Sequence, residues 1–303
     1  MAVSNSLAPQ RGGKQTFSAF LTSDAIKHRI NGMVGSKDGQ RFITSIISAV
    51  SINPALAECD HGTILSAALQ GEALKLSPSP QLGQYYMVPY GDKKRGCKVA
   101  QFQVGYKGYV QLAIRSGYYK KLNVLPIKEG ELERFDPLNE EIEVSLVADE
   151  AKRETLPTAG YYAMFEYNNG FRKAMYWSRE KMMAHADRYS AAFSAQKYRD
   201  MLDGKIPQSE MWKLSSFWYK DFDAMATKTM LRQLISKWGI MSIEMQKAIE
   251  CDMGVIGEDG NIDYVDNAAP EAEAPIIESD PATGEVVPPS APADDPTANF
   301  FEQ

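Results

Sequence analysis

Histidine, paired cysteine and long apolar runs are what this chain of 303 residues has least of. Its three histidines, His28, His61 and His185, stand far apart. Its three cysteines, Cys59, Cys97 and Cys251, are odd in number and form neither a CxxC nor a zinc-ligand spacing. Free thiols of a reducing compartment are the expectation, and a metal centre is not. No run approaches the roughly 18 apolar residues that a membrane helix needs. The first fifteen residues hold no apolar stretch of a signal peptide, so the expected location is the cytoplasm. Nucleotide and hydrolase motifs are missing as well. There is no GxxxxGK followed by Ser or Thr, no GxSxG and no HExxH. The stretch "GYKGY" at 105–109 lacks both the glycine spacing and the hydroxyl of a phosphate-binding loop. An ATP-driven enzyme is therefore not expected.

A second scarcity is local. From Lys93 to Lys128 there is no Asp or Glu, while Lys93, Lys94, Arg95, Lys98, Lys107, Arg115, Lys120, Lys121 and Lys128 are all cationic. Yet the whole chain carries a formal net charge of −6. The conflict dissolves when the charge is mapped. Residues 253–303 contain 12 acidic and no basic side chains, which leaves 33 basic against 27 acidic in residues 1–252. A basic body precedes an acidic tail.

What is present reads as one α+β core. Residues 1–15 are small and polar, and residues 253–303 are rich in Pro, Ala and acids without apolar periodicity, so both are expected to be disordered. The core, 16–252, begins helical: Phe42, Ile43, Ile46, Ile47 and Val50 recur at helical spacing, and Asp60 caps a run carrying Ile64, Leu65, Ala68 and Leu69. Asp24 is the expected cap of the helix before them. The middle is strand-rich. "QYYMVPY" and "CKVAQFQV" flank the polar turn "GDKKRG", with Gln101 and Gln103 sharing one face of the second strand. "YKGYVQLAIRS" predicts a helix stopped by Gly117. Strands follow at "KKLNVLPI" and "EIEVSLV", then a hairpin turning at Asn169-Gly170 with positive φ at both positions. The end is helical again, with Ser178 as a cap and a long helix closed by Gly239.

A folded surface normally mixes charges of both signs. A run of cations without acids makes sense where a polyanion supplies the missing charge. Lys93, Lys94 and Arg95 sit at a hairpin tip, with Lys98 beside them. Lys107, Gln111 and Arg115 share a helix face. Lys120 and Lys121 extend the run. Aromatic residues between the cations suit single-stranded nucleic acid, because base stacking is worth on the order of 1–3 kcal/mol per base and ignores sequence. Aromatics in strands mostly serve the core. Tyr106 or Tyr109 is the expected exception. Lys228 and Arg232, four apart on the long helix, are a second candidate surface, and Arg172 with Lys173 a third. The carboxylates Glu129, Glu131, Glu133, Asp136, Glu140, Glu141 and Glu143 have the composition of a nuclease metal site, but their alternation reads better as a solvated strand edge.

"QFQVGYKGYVQLAIRSG", "VLPIKEGE", "YWSREKMMAHADRYS" and "DFDAMATKTMLRQLISKWGIMSIEMQKAIE" together resemble, in order and over residues 16–252, the RecT family of phage single-strand annealing proteins, or recombinases. "LSPSPQLGQYYMVPYG" is similar to the segment that precedes the family's first strands. The resemblance implies a Rad52-like core: a central antiparallel β-sheet with a long helix packed across it. It implies ATP-independent binding of single-stranded DNA and annealing of complementary strands by a ring or filament. It also implies a partner exonuclease that makes the 3′ overhang, no catalytic residue and no required cofactor, although Mg²⁺ can modulate DNA binding. On this resemblance Gln101, Gln103, Tyr106, Lys107 and Arg115 fall in the first motif, and Lys228 and Arg232 are the cations of the long helix. Thr227 departs from the lysine that many relatives carry there.

Two rivals remain at this point: a protective single-strand DNA-binding protein that does not anneal, and a metal-dependent nuclease using the 129–143 carboxylates. The tail ends "ADDPTANFFEQ". Asp294, Asp295, Phe300 and Phe301 suit docking on a basic, apolar pocket of a partner, such as the exonuclease or the host single-strand binding protein. The tail is equally suited to competing with DNA for the basic groove, or to solubilising the protein.

Overall fold

The structure is a computed structural model that describes residues 15–264. The expectations for the N-terminal arm, for the chain beyond 264 and for Asp294, Asp295, Phe300 and Phe301 lie outside the described residues.

The helical beginning comprises α1 (Phe17–Leu21), α2 (Asp24–Val34), α3 (Ser36–Ile52) and α4 (His61–Ala73). Helix α3 buries Phe42, Ile43, Ile46 and Val50, the stripe that the spacing predicts. The Asp60 carboxylate caps α4 by accepting from the Thr63 amide at 3.1 Å. Ile64, Leu65, Ala67, Ala68 and Leu69 are all buried, so α4 is apolar nearly all round and runs through the interior. One expected cap moves: α2 begins at Asp24, with Ser23 as the residue before its first turn.

Strands β1 (Tyr85–Asp92) and β2 (Cys97–Val104) form an antiparallel hairpin in which Tyr85 faces Val104 and Tyr86 faces Gln103. Tyr85, Met87, Phe102 and Val104 point into the core that α4 also lines. Helix α5 (Tyr106–Ser116) follows directly and stops at Gly117, whose φ of +74° is the left-handed stop that glycine permits. The chain then builds β3 (Tyr119–Lys128), a side hairpin β4 (Leu132–Asp136) and β5 (Glu141–Val144), α6 (Glu150–Thr155), β6 (Thr158–Tyr167) and β7 (Arg172–Ser178). Strands β3, β6 and β7 make an antiparallel sheet in that order. Ser178 caps α7 (Arg179–Tyr189) through the Lys181 amide. After α8 (Ala195–Leu202) and α9 (Phe217–Lys220), helix α10 (Phe222–Trp238) lies on all three strands of that sheet and buries Met230, Leu231, Leu234 and Ile235 against it. Helix α11 (Ile243–Cys251) leads into a short return of β8 (Val255–Ile256) and β9 (Ile262–Asp263).

The fold is thus α+β, with a long helix on an antiparallel sheet, but the strands do not join into one central sheet. They form separate small sheets among the described residues. At the β6–β7 turn only Gly170 has positive φ, so Asn169 does not supply a second such position. The body does not close at 252 either. Residues 253–264, assigned by composition to the tail, pack on it and bury Val255 and Ile256.

The largest correction within the body concerns Glu131. Expected on a solvated edge, it is fully buried. Its carboxylate accepts from Arg153 Nε at 2.6 Å, from the Lys128 amide at 2.8 Å and from the Val147 amide at 3.1 Å. The Arg153 bond, aided by both amides against the opposing effect of burial, holds the carboxyl down from its ordinary 4.5 to about 2. A carboxyl whose pKa is lower in the folded state stabilises the fold above its unfolded value. That stability is present above 4.5 and is lost as pH falls from there towards 2. The stability gap between wild type and Glu131→Gln, measured by urea unfolding, should therefore narrow between neutral pH and pH of about 3. A gap that stays constant over that interval contradicts the Arg153 pairing.

Candidate nucleic-acid interface

The first motif is built on close backbone approach. A Cβ on Gly105 would lie 2.1 Å from the Gly83 carbonyl oxygen, and one on Gly108 would lie 2.0 Å from that of Gln84. Alanine cannot enter either position without moving the backbone. The two glycines of "GYKGY" therefore clamp the start of α5 to the segment entering β1. This brings the exposed Lys107 beside Tyr86: the Lys107 Cδ and the Tyr86 hydroxyl both lie against Gly83. Tyr86 is 41% exposed, and Gln103, its cross-strand partner, is half-buried. Lys107, Tyr86 and Gln103 together present a cation, an aromatic ring and an amide at one end of the hairpin. At its other end, Lys93 and Lys94 project from the β1–β2 turn. None of these three lysines is paired with a carboxylate among the described residues. Eight-residue strands separate the two ends by roughly 25 Å.

The second candidate, on α10, is organised by a residue that the sequence did not single out. Asp252, just after α11, is buried. It accepts from the Val104 amide at 2.9 Å and from the Tyr109 hydroxyl at 2.9 Å. Lys228 Nζ stands 3.7 Å and Arg232 Nε 3.4 Å from its two carboxylate oxygens. Lys228 and Arg232 do share a face, as their spacing requires, but that face is turned onto Asp252. Tyr109 is consequently a core residue and no stacking platform. Burial, reinforced by Asp252, pushes its hydroxyl well above the ordinary range. Tyr106 is half-buried against the same core, and burial raises its hydroxyl as well.

The remaining nominated side chains sort by what they touch. Gln101 is buried, donates to the Met253 carbonyl at 2.6 Å and accepts from Gln103 Nε2 at 2.8 Å. Arg95 bridges Asp92 and Asp263, and Lys98 pairs with Glu58. Arg115 donates to the carbonyls of Leu74, at 2.6 Å, and Lys75, at 3.3 Å, and so closes the end of α4. Lys120 and Lys121 both engage Glu166, at 2.7 and 3.3 Å. Lys128 donates to the Thr158 hydroxyl. Gln111 is exposed, and the exposed Arg172 donates to the Tyr162 hydroxyl at 3.4 Å. The acid-free segment is therefore not bare once folded. Glu58, Glu166, Asp252 and Asp263, none of them inside the segment, supply counter-charge to it or to the neighbouring α10.

Five of the seven carboxylates of 129–143 are likewise engaged. Arg134 reaches Asp136, Glu141 and Glu143 at 3.5–3.7 Å, Lys173 pairs with Glu140, and Glu131 belongs to Arg153. Among the described residues no group of three or more His, Cys, Asp or Glu is placed to hold a metal ion. No described helix is long and apolar enough to cross a membrane.

The sequence reading missed two residues. Tyr86 was readable in principle, since strand alternation in "QYYMVPY" puts Tyr85 and Tyr86 on opposite faces, one for the core and one for solvent. Asp252 had no local signal at all. Its partners lie 20 to about 150 residues away along the chain.

Comparison with known proteins bears on the same elements. The chain is 38% identical over 282 residues to the uncharacterized protein YqaK of Bacillus subtilis (strain 168), covering 93% of this chain and 86% of that one. It is 26% identical over 265 residues to Protein RecT of Escherichia coli (strain K12), covering 86% and 88%. Residues 40–270, which include both candidate surfaces, match the family model for RecT, so the chain belongs to the RecT family.

Proposed function

We propose that this protein binds single-stranded DNA and anneals complementary strands without ATP, in phage or prophage recombination. The observation that carries the reading is the match to the RecT family across residues 40–270, a family of DNA-recombination annealing proteins. Lys93 and Lys94 at one end of the β1–β2 hairpin, and Lys107 with Tyr86 and Gln103 at the other, support a strand that runs along it. Phosphates meet the lysines, and one base stacks on Tyr86. Copies of the chain align their hairpins into a ring or filament, so that a first strand is held by its phosphates with base edges free. Watson–Crick pairing with a second strand then supplies all sequence specificity. In this reading the protein needs no cofactor, and Mg²⁺ acts only by screening phosphates. It works in the bacterial cytoplasm beside a phage exonuclease that provides the single-stranded ends, and a host single-strand binding protein is a further partner.

The decisive experiment mixes two complementary labelled oligonucleotides with the protein and follows duplex formation, with and without ATP and Mg²⁺. Accelerated annealing in the absence of both is the expected result. Binding without acceleration identifies a protective binder instead, and Mg²⁺-dependent loss of label identifies a nuclease.

A further inference from the structure

The return of the chain after α11 is a strap with a fixed base and a loosely held end. At the base, Asp252 is buried among Lys228, Arg232, Tyr109 and the Val104 amide. Met253 adopts φ +67°, a costly conformation for a side-chain-bearing residue, and it is held there from both sides. Its amide donates to the Phe102 carbonyl at 2.8 Å, and its carbonyl accepts from Gln101. Gly254 continues this pairing along the free edge of β2, and Val255 and Ile256 are buried.

Beyond Ile256 the contacts change in kind. The Ser66 hydroxyl donates to the Gly257 carbonyl at 3.3 Å, Ile262 packs half-buried on the core, and the Tyr264 hydroxyl donates to the Glu250 carbonyl. The acidic side chains of the β8–β9 hairpin add ion pairs that face solvent. Glu258 meets Arg29 of α2 through its carboxylate at 3.8 Å and its carbonyl at 3.1 Å. Asp263 meets Arg95 of the β1–β2 turn. The two acidic side chains are 66% and 64% exposed, so each pair is the kind that contributes little to stability and that salt weakens. Arg95 is the neighbour of Lys93 and Lys94, the two unpaired cations at the tip of the proposed DNA-binding hairpin. The hairpin tip therefore carries three cations: Lys93 and Lys94 have no carboxylate partner among the described residues, and Arg95 is shared between Asp92 and an acid of the strap.

We propose that the β8–β9 hairpin is an internal stand-in for the nucleic-acid backbone. Glu258 and Asp263 hold Arg29 and Arg95 in reserve, and a polyanion displaces them on binding. The inference rests on the proposed single-strand DNA binding and adds a regulatory step to it. In the unbound protein the carboxylates of the strap cover the Arg29 guanidinium and the side of the Arg95 guanidinium that Asp92 leaves open, and so keep other anions from both. A DNA phosphate exchanges for each carboxylate, and guanidinium pairs bidentately with either. The base of the strap stays in place because Asp252 and the buried Val255 and Ile256 hold it. Only residues from about 257 onward lift.

The test uses the full chain and a fluorescent oligodeoxythymidylate. Glu258→Gln combined with Asp263→Asn removes the competing charge and keeps side-chain size. It should bind roughly three- to tenfold tighter than wild type at about 0.1 M salt, with the gain shrinking as salt rises. The same two changes made on an Arg29→Gln, Arg95→Gln background should give no gain. A folded variant, with the wild-type melting temperature, that binds no tighter overturns the proposal. Hydrogen exchange on the unaltered protein reads the displacement without any substitution. Amides of 257–264 should exchange faster when the oligonucleotide is added, and slower or unchanged exchange overturns the displacement step. If the wild type binds no oligonucleotide at all, the DNA-binding reading falls and the strap with it. If the wild type binds and the strap changes nothing, the strap alone falls.

Discussion

Asp252→Ala should cost the fold roughly 3–5 kcal/mol, because it leaves two cations and two donors facing an emptied site. In a body of this size that lowers the melting temperature by on the order of 10 °C. The magnitude follows from what the carboxylate does. The Val104 amide and the Tyr109 hydroxyl each lose a partner at 2.9 Å in a dry environment, and an unmade buried hydrogen bond costs about 1–3 kcal/mol. Lys228 and Arg232, one turn apart, lose the charge that allows them to sit side by side. Part of the loss is recoverable, since Arg232 is about a third exposed and can turn to water. Asp252→Asn should lose less, because it keeps an oxygen for the Val104 amide. Adding Lys228→Met and Arg232→Met to Asp252→Ala should recover part of the loss, because an apolar trio needs no counter-charge, while the Val104 amide and the Tyr109 hydroxyl stay without their acceptor. Chemical denaturation of the four proteins is the check. A loss below about 1 kcal/mol for Asp252→Ala would show that the hub is decorative.

The hub also explains why the fold was more legible than the site. Local signals were followed faithfully where a single element decided the outcome. The apolar stripe of α3, the Asp60 cap of α4, the Gly117 stop of α5 and the Ser178 cap of α7 are all set within a few residues of themselves. Site residues are decided by contacts from elsewhere in the chain. No acid lies among the cations of 93–128 in sequence, yet Glu58, Glu166 and Asp263 arrive from 40, 46 and 168 residues away. Alternation puts Glu131 on a solvated strand edge, and it fails there because Glu131 sits in the turn between β3 and β4, where Arg153, 22 residues on, pairs with it and carries the charge inside. Tyr109 stands among cations in the sequence, but its helical phase turns it towards Asp252. Tyr86, one strand earlier, has the exposure that stacking needs.

These corrections leave a narrower and more testable interface. Substituting Lys93, Lys94 and Lys107 together with alanine should weaken binding to single-stranded DNA about a hundredfold at 0.1 M salt and hardly at all near 1 M. The arithmetic is that of counterion release. Each phosphate neutralised on a single strand contributes about 0.7 to the slope of log affinity against log salt, so losing three flattens it by about 2. Stability should be nearly unchanged, because none of the three lysines is paired with a carboxylate among the described residues. Lys120→Ala with Lys121→Ala is the contrast. These two share Glu166, so between them they have about one charge to offer a phosphate, against three in the triple variant. Their effect on the salt slope should be well under half that of the triple variant. Tyr86→Ala should weaken binding by about 1–3 kcal/mol without altering the slope, since stacking releases no ions. Equal slopes for the triple variant and wild type would place the DNA on another face. The exposed Arg172 and the α10 cations would then be the next surfaces to test. If instead the slope flattens as expected while Tyr86→Ala has no effect, the strand follows the lysines but keeps its bases off the hairpin. That outcome would fit annealing well, because bases that do not stack on the protein are free to test a second strand.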